Sequence, residues 1–255
     1  MLVQRSIEPK TAGAFGLSPA ITQRLLEIFR GDAENAVKTI RKSIIAGDIN
    51  SFITSVHGIK SALASIGAHE ISELAASLER AGLEGDMQFI TANAEHFSAS
   101  LEALAGGFNS PGIAADGILE TDEVNEHLTG KTFLIVDDSA FARMLLKSII
   151  IKHGYRVIGE AENGKIGVKK FIELKPDFVT TDVVMDDGCN LTLLEQIIRH
   201  NADAKVIVVS SMMNQKAFAD KAREKGAKAL LTKPVNEIKL VEAIKSIEKN
   251  FAHAL

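Results

Sequence analysis

The chain has 255 residues, enough for two domains of ordinary size, and its 46% hydrophobic content fits folded cores rather than disorder. No apolar run approaches the roughly 18 residues that span a bilayer, and the leading MLVQRSIEPKTAG lacks the apolar core of a signal peptide. A single cysteine, Cys189, excludes an intramolecular disulfide and fits a reducing, cytoplasmic setting, while a pI near 6.0 without a basic, aromatic-rich stripe argues against nucleic-acid binding.

The formal charge of −4 is unevenly spread. Residues 1–128 carry 9 Lys/Arg against 17 Asp/Glu, whereas residues 129–255 carry 20 against 16. Five of the acids in the first half (Asp116, Glu120, Asp122, Glu123, Glu126) fall in a stretch that reads as a linker. The plain reading of this asymmetry is solubility.

From about residue 17 to 106, apolar residues recur at spacings of three and four, as in Ile21, Leu25, Leu26 and Val37, Ile40, Ile44, Ile45. Gly47, Gly67, Gly82 and Gly85 punctuate the stretch, and Asp32, Asp48 and His69 stand where helices can begin. The pattern predicts a short helix over 18–29 and four longer ones near 33–46, 49–66, 69–82 and 86–105, forming an antiparallel α-helical bundle over residues 1–107.

One helix of this bundle carries His57. Lys60 at i+3 and Ser61 at i+4 share its face, and Gly58 and Ser61 keep the surroundings low enough for a partner to approach. No Asp or Glu lies at i±3 or i±4, so the expectation is a neutral, exposed imidazole, a competent nucleophile, with Lys60 placed to steady phosphoryl oxygens. Taken alone, the pair also reads as a surface histidine beside a lysine.

Residues 108–129 hold glycine, proline and the acidic run, and read as the linker. From Lys131 the pattern changes. Strands are predicted at 132–136, 156–160, 177–181, 205–209 and 228–232, with helices near 139–153, 164–174, 190–200, 214–225 and 236–251. This alternation over residues 130–255 predicts a doubly wound α/β domain with a five-stranded parallel sheet, whose sites lie at the carboxyl ends of the strands.

Five polar residues fall at those ends: Asp137 and Asp138, Asp182, Ser210 and Lys233. Each has an ordinary alternative, such as a helix N-cap for Asp138-Ser139 or a turn carboxylate for Asp182. Together, at the ends of four strands, they suit Mg²⁺ and a phosphoryl group, because hard oxygen ligands and an ammonium match that charge.

The segments FLIVDDSAFAR (133–143), GEAENGKIGV (159–168), PDFVTTDVVM (176–185), KVIVVSSM (205–212) and GAKALLTKPV (226–235) resemble the flavodoxin-like receiver domain of two-component response regulators. The resemblance implies that Asp182 accepts the phosphoryl group and that Asp137, Asp138 and Asp182 bind Mg²⁺ with the carbonyl of Val184. It further implies that Ser210 and Lys233 bond phosphoryl oxygens. Two departures stand out. Met185 is followed by Asp186-Asp187-Gly188, with Asn190 at the usual later glycine, and Leu230 replaces the usual Tyr or Phe. The expectation is a modest conformational change on phosphorylation.

Residues 17–106 in turn resemble a histidine phosphotransfer (HPt) domain through His57, Lys60, Ser61, Ile66-Gly67-Ala68, Leu74-Ala75, Leu78-Glu79 and Ala81-Gly82. The two resemblances together imply a phosphorelay intermediate that passes a phosphoryl group between His57, Asp182 and partners. Those partners would be a sensor histidine kinase or other receiver or HPt proteins. No ATP-binding loop or DNA-binding output domain is evident in the sequence, and no activity beyond slow self-dephosphorylation is expected. The 22-residue linker has a coil dimension of roughly 26 Å if flexible, which allows transfer within one chain. The competing class is a binding module or phosphate sink, switched by one of the two sites and acting on a partner kinase.

Overall fold

The computed structural model describes residues 17–108, 129–183, 191–211 and 216–252. The chain divides into two compact units between residues 113 and 114. Among the described residues, no helix is long and apolar enough to cross a membrane.

The first unit contains α1 (Pro19–Ala46), α2 (Ile49–Ser65), α3 (His69–Glu84) and α4 (Met87–Gly107). The short and the first long predicted helices are one: α1 runs unbroken through Gly31 and Asp32. A glycine inside a helix costs about 1 kcal/mol. Here a continuous buried stripe of Leu25, Phe29, Ala33, Ala36, Val37 and Ile40 offsets it by spanning the glycine on one face. Ser18, Asp48 and Asp86 cap α1, α2 and α4 through their side chains. Gly47 (φ 68°) and Gly85 (φ 74°) close α1 and α3 in the left-handed conformation that glycine adopts without strain.

The bundle core is aromatic and aliphatic, with Phe29, Phe52, Leu63, Leu78, Ile90, Phe97 and Leu101 fully buried. Helices α2 and α3 approach closely at Gly82, where an added Cβ would stand 2.5 Å from Ile53 Cγ1. Across the surface between α1 and α4, Arg41 forms ion pairs with Glu95 and Glu102.

The second unit contains, in order, β1 (Thr132–Val136), α5 (Ala140–Lys152), β2 (Arg156–Ala161), α6 (Gly164–Leu174), β3 (Phe178–Thr181), α7 (Thr192–His200), β4 (Lys205–Ser210), α8 (Lys216–Glu224), β5 (Ala229–Thr232) and α9 (Glu237–Ala252). All strands pair in parallel in the order β2-β1-β3-β4-β5. The strands are apolar because helices cover both faces of such a sheet. One core layer joins Leu134, Val136, Val179, Val206 and Val208 to Phe171, Leu193, Leu194 and Ile197.

The strand order reverses at β1, so the ends of β1 and β3 lie side by side. At the opposite end of the sheet, Asp177 accepts hydrogen bonds from the Thr132 amide and hydroxyl and holds the starts of β1 and β3 together. Register slips between β1 and β2 after Phe133, which skips Ile158. The extra residue puts Gly159 and Ala161 on the α6 face, against Leu134 and Phe171, and turns Glu160 toward α5.

Candidate functional site

The carboxyl edge of the sheet gathers the expected charges. Asp137 immediately follows β1 and Asp182 follows β3, and their backbones extend the ladder. The Asp137 amide donates to the Ala161 carbonyl (3.1 Å) and the Asp182 amide to the Val136 carbonyl (2.9 Å). Ligand oxygens of Asp137, Asp138 and Asp182 lie within 4.8 Å of one another, the group of metal-binding side chains found among the described residues. Asp137 and Asp182 are buried and Asp138 is partly exposed, which leaves the cluster one open side.

Lys233 reaches this cluster from the loop after β5. Its Nζ lies 2.8 Å from Asp137 Oδ2 and 2.5 Å from Asp182 Oδ2, with only 6% of the side chain exposed. A cis peptide links Lys233 to Pro234. The Lys233 amide donates to the carbonyl of Ser210 (3.2 Å), the buried last residue of β4, so Ser210 shares the edge.

Burial pushes the Asp137 carboxyl up from the usual carboxylate range; the Lys233 charge pulls against this, and the neighbouring Asp182 adds to the rise. For Lys233 burial works toward deprotonation, but Asp137 and Asp182 overcome it and hold the ammonium above the ordinary lysine range. Asp137 Oδ2 is buried without an aligned hydrogen bond, and Lys233 Nζ stands 2.8 Å from it as an ion pair. Three oxygen donors, one of them poorly satisfied, fit a small hard cation such as Mg²⁺.

Ser139 caps α5, its Oγ accepting from the Ala142 amide (3.2 Å), so Asp138 is not the cap. Asp182 accepts from the Val183 amide at 2.6 Å while facing Lys233. Val184 lies outside the described residues, as do Met185, Asp186, Asp187, Gly188 and Asn190. Leu230 is half-buried and packs on the apolar layer beneath β4 and β5.

In the bundle, the expected exposed imidazole without a carboxylate is corrected on both counts. His57 is only 7% exposed, and its Nδ1 lies 2.5 Å from Oε1 of Glu79 on α3. Lys60 Nζ pairs with the other oxygen, Oε2. Burial raises the cost of charge on Glu79, yet the hydrogen bonds and charges of His57 and Lys60 hold its carboxyl below the usual range. Residue Glu79 is 22 positions from His57, so counting i±3 and i±4 misses it. An added Cβ at Gly58 would meet nothing within 4 Å, leaving room beside the histidine.

A family model described as "Response regulator receiver domain" matches residues 133–245, and one described as "Hpt domain" matches residues 24–107. Chemotaxis protein CheY of Thermotoga maritima is 45% identical over 120 residues, covering 47% of this chain and 99% of that protein. Chemotaxis protein CheY of Bacillus subtilis is 42% identical over 111 residues, covering 44% of this chain and 92% of its own. Among solved structures, the CheX–CheY–BeF3–Mg complex from Borrelia burgdorferi is similar at 29% identity with a TM-score of 0.44, covering 46% of this chain and 88% of that one.

Proposed function

Since the chain belongs to the response-regulator receiver family and joins that domain to an Hpt domain, it is a two-component phosphorelay protein, and we propose that His57 and Asp182 are its two phosphoryl carriers. Both domains are phosphotransfer modules rather than classical enzymes. The observation that carries the reading is Lys233 Nζ set against Asp137 and Asp182 at 2.8 and 2.5 Å, with Asp138 completing the carboxylate group.

A carboxylate without a proton only accepts hydrogen bonds, so the contact with Glu79 places the His57 proton on Nδ1 and the lone pair on Nε2. In the loading step Nε2 attacks the phosphorus of a partner's phosphoryl group, the P–N bond forms, and the donor oxygen leaves with its electron pair. Glu79 then faces the charge that develops on the ring, while Lys60 is close enough to steady phosphoryl oxygens.

In the onward step a carboxylate oxygen of Asp182 attacks the phosphorus. A P–O bond forms, the P–N bond breaks, and the electron pair returns to Nε2. Asp137, Asp138 and Asp182, with the carbonyl of Val184, would hold Mg²⁺, which supplies charge neutralisation on the phosphoryl oxygens when bound. Lys233 would pair with one phosphoryl oxygen and Ser210 would donate to another. Partners follow from the modules: histidine kinases or other receiver and Hpt proteins.

A second reading is a phosphorylation-switched binding module or phosphate sink, and Leu230 is the observation behind it. An aliphatic side chain packed on the core beside β4 has no aromatic ring to swing inward when Asp182 is modified. A radiolabelled phosphate chase on wild type, His57→Gln and Asp182→Asn separates the two. The relay predicts acid-labile label on His57 and His57-dependent label on Asp182. Tight partner binding with Asp182 alone labelled supports the module.

A further inference from the structure

Arg143 lies on the first turns of α5, outside the carboxylate cluster, and makes an unusual pair of contacts. Its Nη1 donates to two successive backbone carbonyls, those of Asp137 (2.7 Å) and Asp138 (3.0 Å). These are the two residues that bring carboxylates from the end of β1. The side chain is 18% exposed, and its Nε stands 3.9 Å from Glu160 Oε2. Glu160 is in turn paired with Lys147 at 2.9 Å, and Lys170 donates to its carbonyl at 2.5 Å. The register slip in β2 is what turns Glu160 toward this side of the sheet.

Consider what this does to the β1–α5 turn. The side chain of Asp137 is held by the Ser139 amide at Oδ1 (3.0 Å) and by Lys233 at Oδ2. Its peptide carbonyl is held by Arg143, as is the next one. A single planar nitrogen that bridges both carbonyls fixes the relative orientation of the two peptide planes, and hence the directions of the two Cα–Cβ bonds. We infer that Arg143 is a positioning residue for a divalent cation at this cluster, acting by clamping the backbone of Asp137 and Asp138 with Glu160 aligned behind it. The inference rests on the reading of the cluster as a Mg²⁺ site.

Two effects of the guanidinium oppose one another. As a nearby positive charge it weakens cation binding, and as a clamp it strengthens binding by pre-organising the ligands. Lysine keeps the charge but lacks the planar fork, while glutamine removes the charge. The experiment is calorimetric titration of Mg²⁺ into the full chain as wild type, Arg143→Lys and Arg143→Gln, with melting temperatures recorded in EDTA. The clamp predicts that both variants lose about tenfold in affinity, the lower end of the effect of removing groups that orient metal ligands. It also predicts metal-free melting close to wild type.

Wild-type affinity in Arg143→Lys, or tighter binding in Arg143→Gln, would overturn it in favour of a charge effect. Lower metal-free melting with unchanged Mg²⁺ affinity would overturn it in favour of a purely structural residue. No saturable binding by the wild type would overturn the cation site itself, and the clamp with it; binding that Asp137→Asn abolishes in the wild-type background keeps the two failures distinct.

Discussion

His57 and Glu79 meet across the α2–α3 interface, Nδ1 to Oε1 at 2.5 Å, and in the proposed relay this contact would leave Nε2 as the attacking nitrogen. Exchanging the carboxylate for an amide of the same shape tests it. Glu79→Gln keeps the packing but no longer faces the ring with a negative charge, and its side chain can present either a donor or an acceptor to Nδ1. Loading of His57 by a partner kinase is expected to slow on the order of 100-fold, the lower end for removing a group that stabilises charge developing in the transition state. The measurement is initial rate of acid-labile labelling with folding checked by circular dichroism. An unchanged rate would remove Glu79 from the chemistry.

The contrast between the two sites shows what a sequence exposes. Asp137, Asp182 and Lys233 each sit one step past the end of an apolar strand and Ser210 is the last residue of one, and parallel pairing forces those ends to one edge, so order along the chain predicts proximity. Glu79 has no such marker. Helical periodicity assigns it a face of α3 but not the rotation of α3 against α2, and its neighbours Leu78 and Gly82 hint only that this face is buried. The merged α1 is a similar case: Gly31-Asp32 reads as a break by local preference, and tertiary burial of Phe29 and Ala33 on either side overrules it. Arg143 is likewise invisible, since its two hydrogen-bond acceptors are backbone carbonyls.

Gly82 offers a test of sign. Within a helix, glycine to alanine ordinarily stabilises by close to 1 kcal/mol. Here the new Cβ would stand 2.5 Å from Ile53 Cγ1, the stem of a branched side chain that cannot swing away. Gly82→Ala is therefore expected to destabilise the bundle by roughly 1–3 kcal/mol through overpacking. Because Glu79 is one turn away on the same helix, the His57 labelling rate should fall as well. Urea denaturation of wild type and variant gives the first number, and a gain in stability would contradict the close approach.

The raised Asp137 carboxyl makes a pH prediction for the metal-free chain. Its folded pKa lies above the unfolded value near 3.8, so the folded state favours the protonated form. Its stabilising contribution is complete below that unfolded value and is lost as pH rises through the folded pKa. Glu79, Asp177 and Glu237 are shifted the other way; their contributions are present above the ordinary carboxylate range and are lost as pH falls below it, through their lowered folded values. Asp137→Asn should therefore stabilise the protein in EDTA at pH 7 by roughly 0.5–2 kcal/mol, a gain typical of relieving a strained site. That gain should shrink at pH 5, and Mg²⁺ binding should disappear at both. Equal stability of the two proteins at pH 7 would refute it.

Lys233 carries the strongest expectation, because it neutralises two buried carboxylates at once. Lys233→Met keeps most of the volume and removes the charge, which leaves Asp137 and Asp182 facing each other in a buried edge. Breaking a buried ion pair by deleting one partner costs about 3–5 kcal/mol, since the remaining charge is uncompensated. Part of that cost is avoidable here: Asp137 can take up a proton, its carboxyl being raised already, so the loss should be smaller at pH 5 than at pH 7. A divalent cation at the cluster would provide the same relief. Millimolar Mg²⁺ is therefore expected to recover more stability in Lys233→Met than in wild type, by mass action on a site whose repulsion has grown. Denaturation midpoints with EDTA and with Mg²⁺, at both pH values, measure all of this. If Mg²⁺ stabilises the two proteins equally, the ammonium and the cation do not share the carboxylates, and the assignment of Asp137, Asp138 and Asp182 as the metal ligands fails.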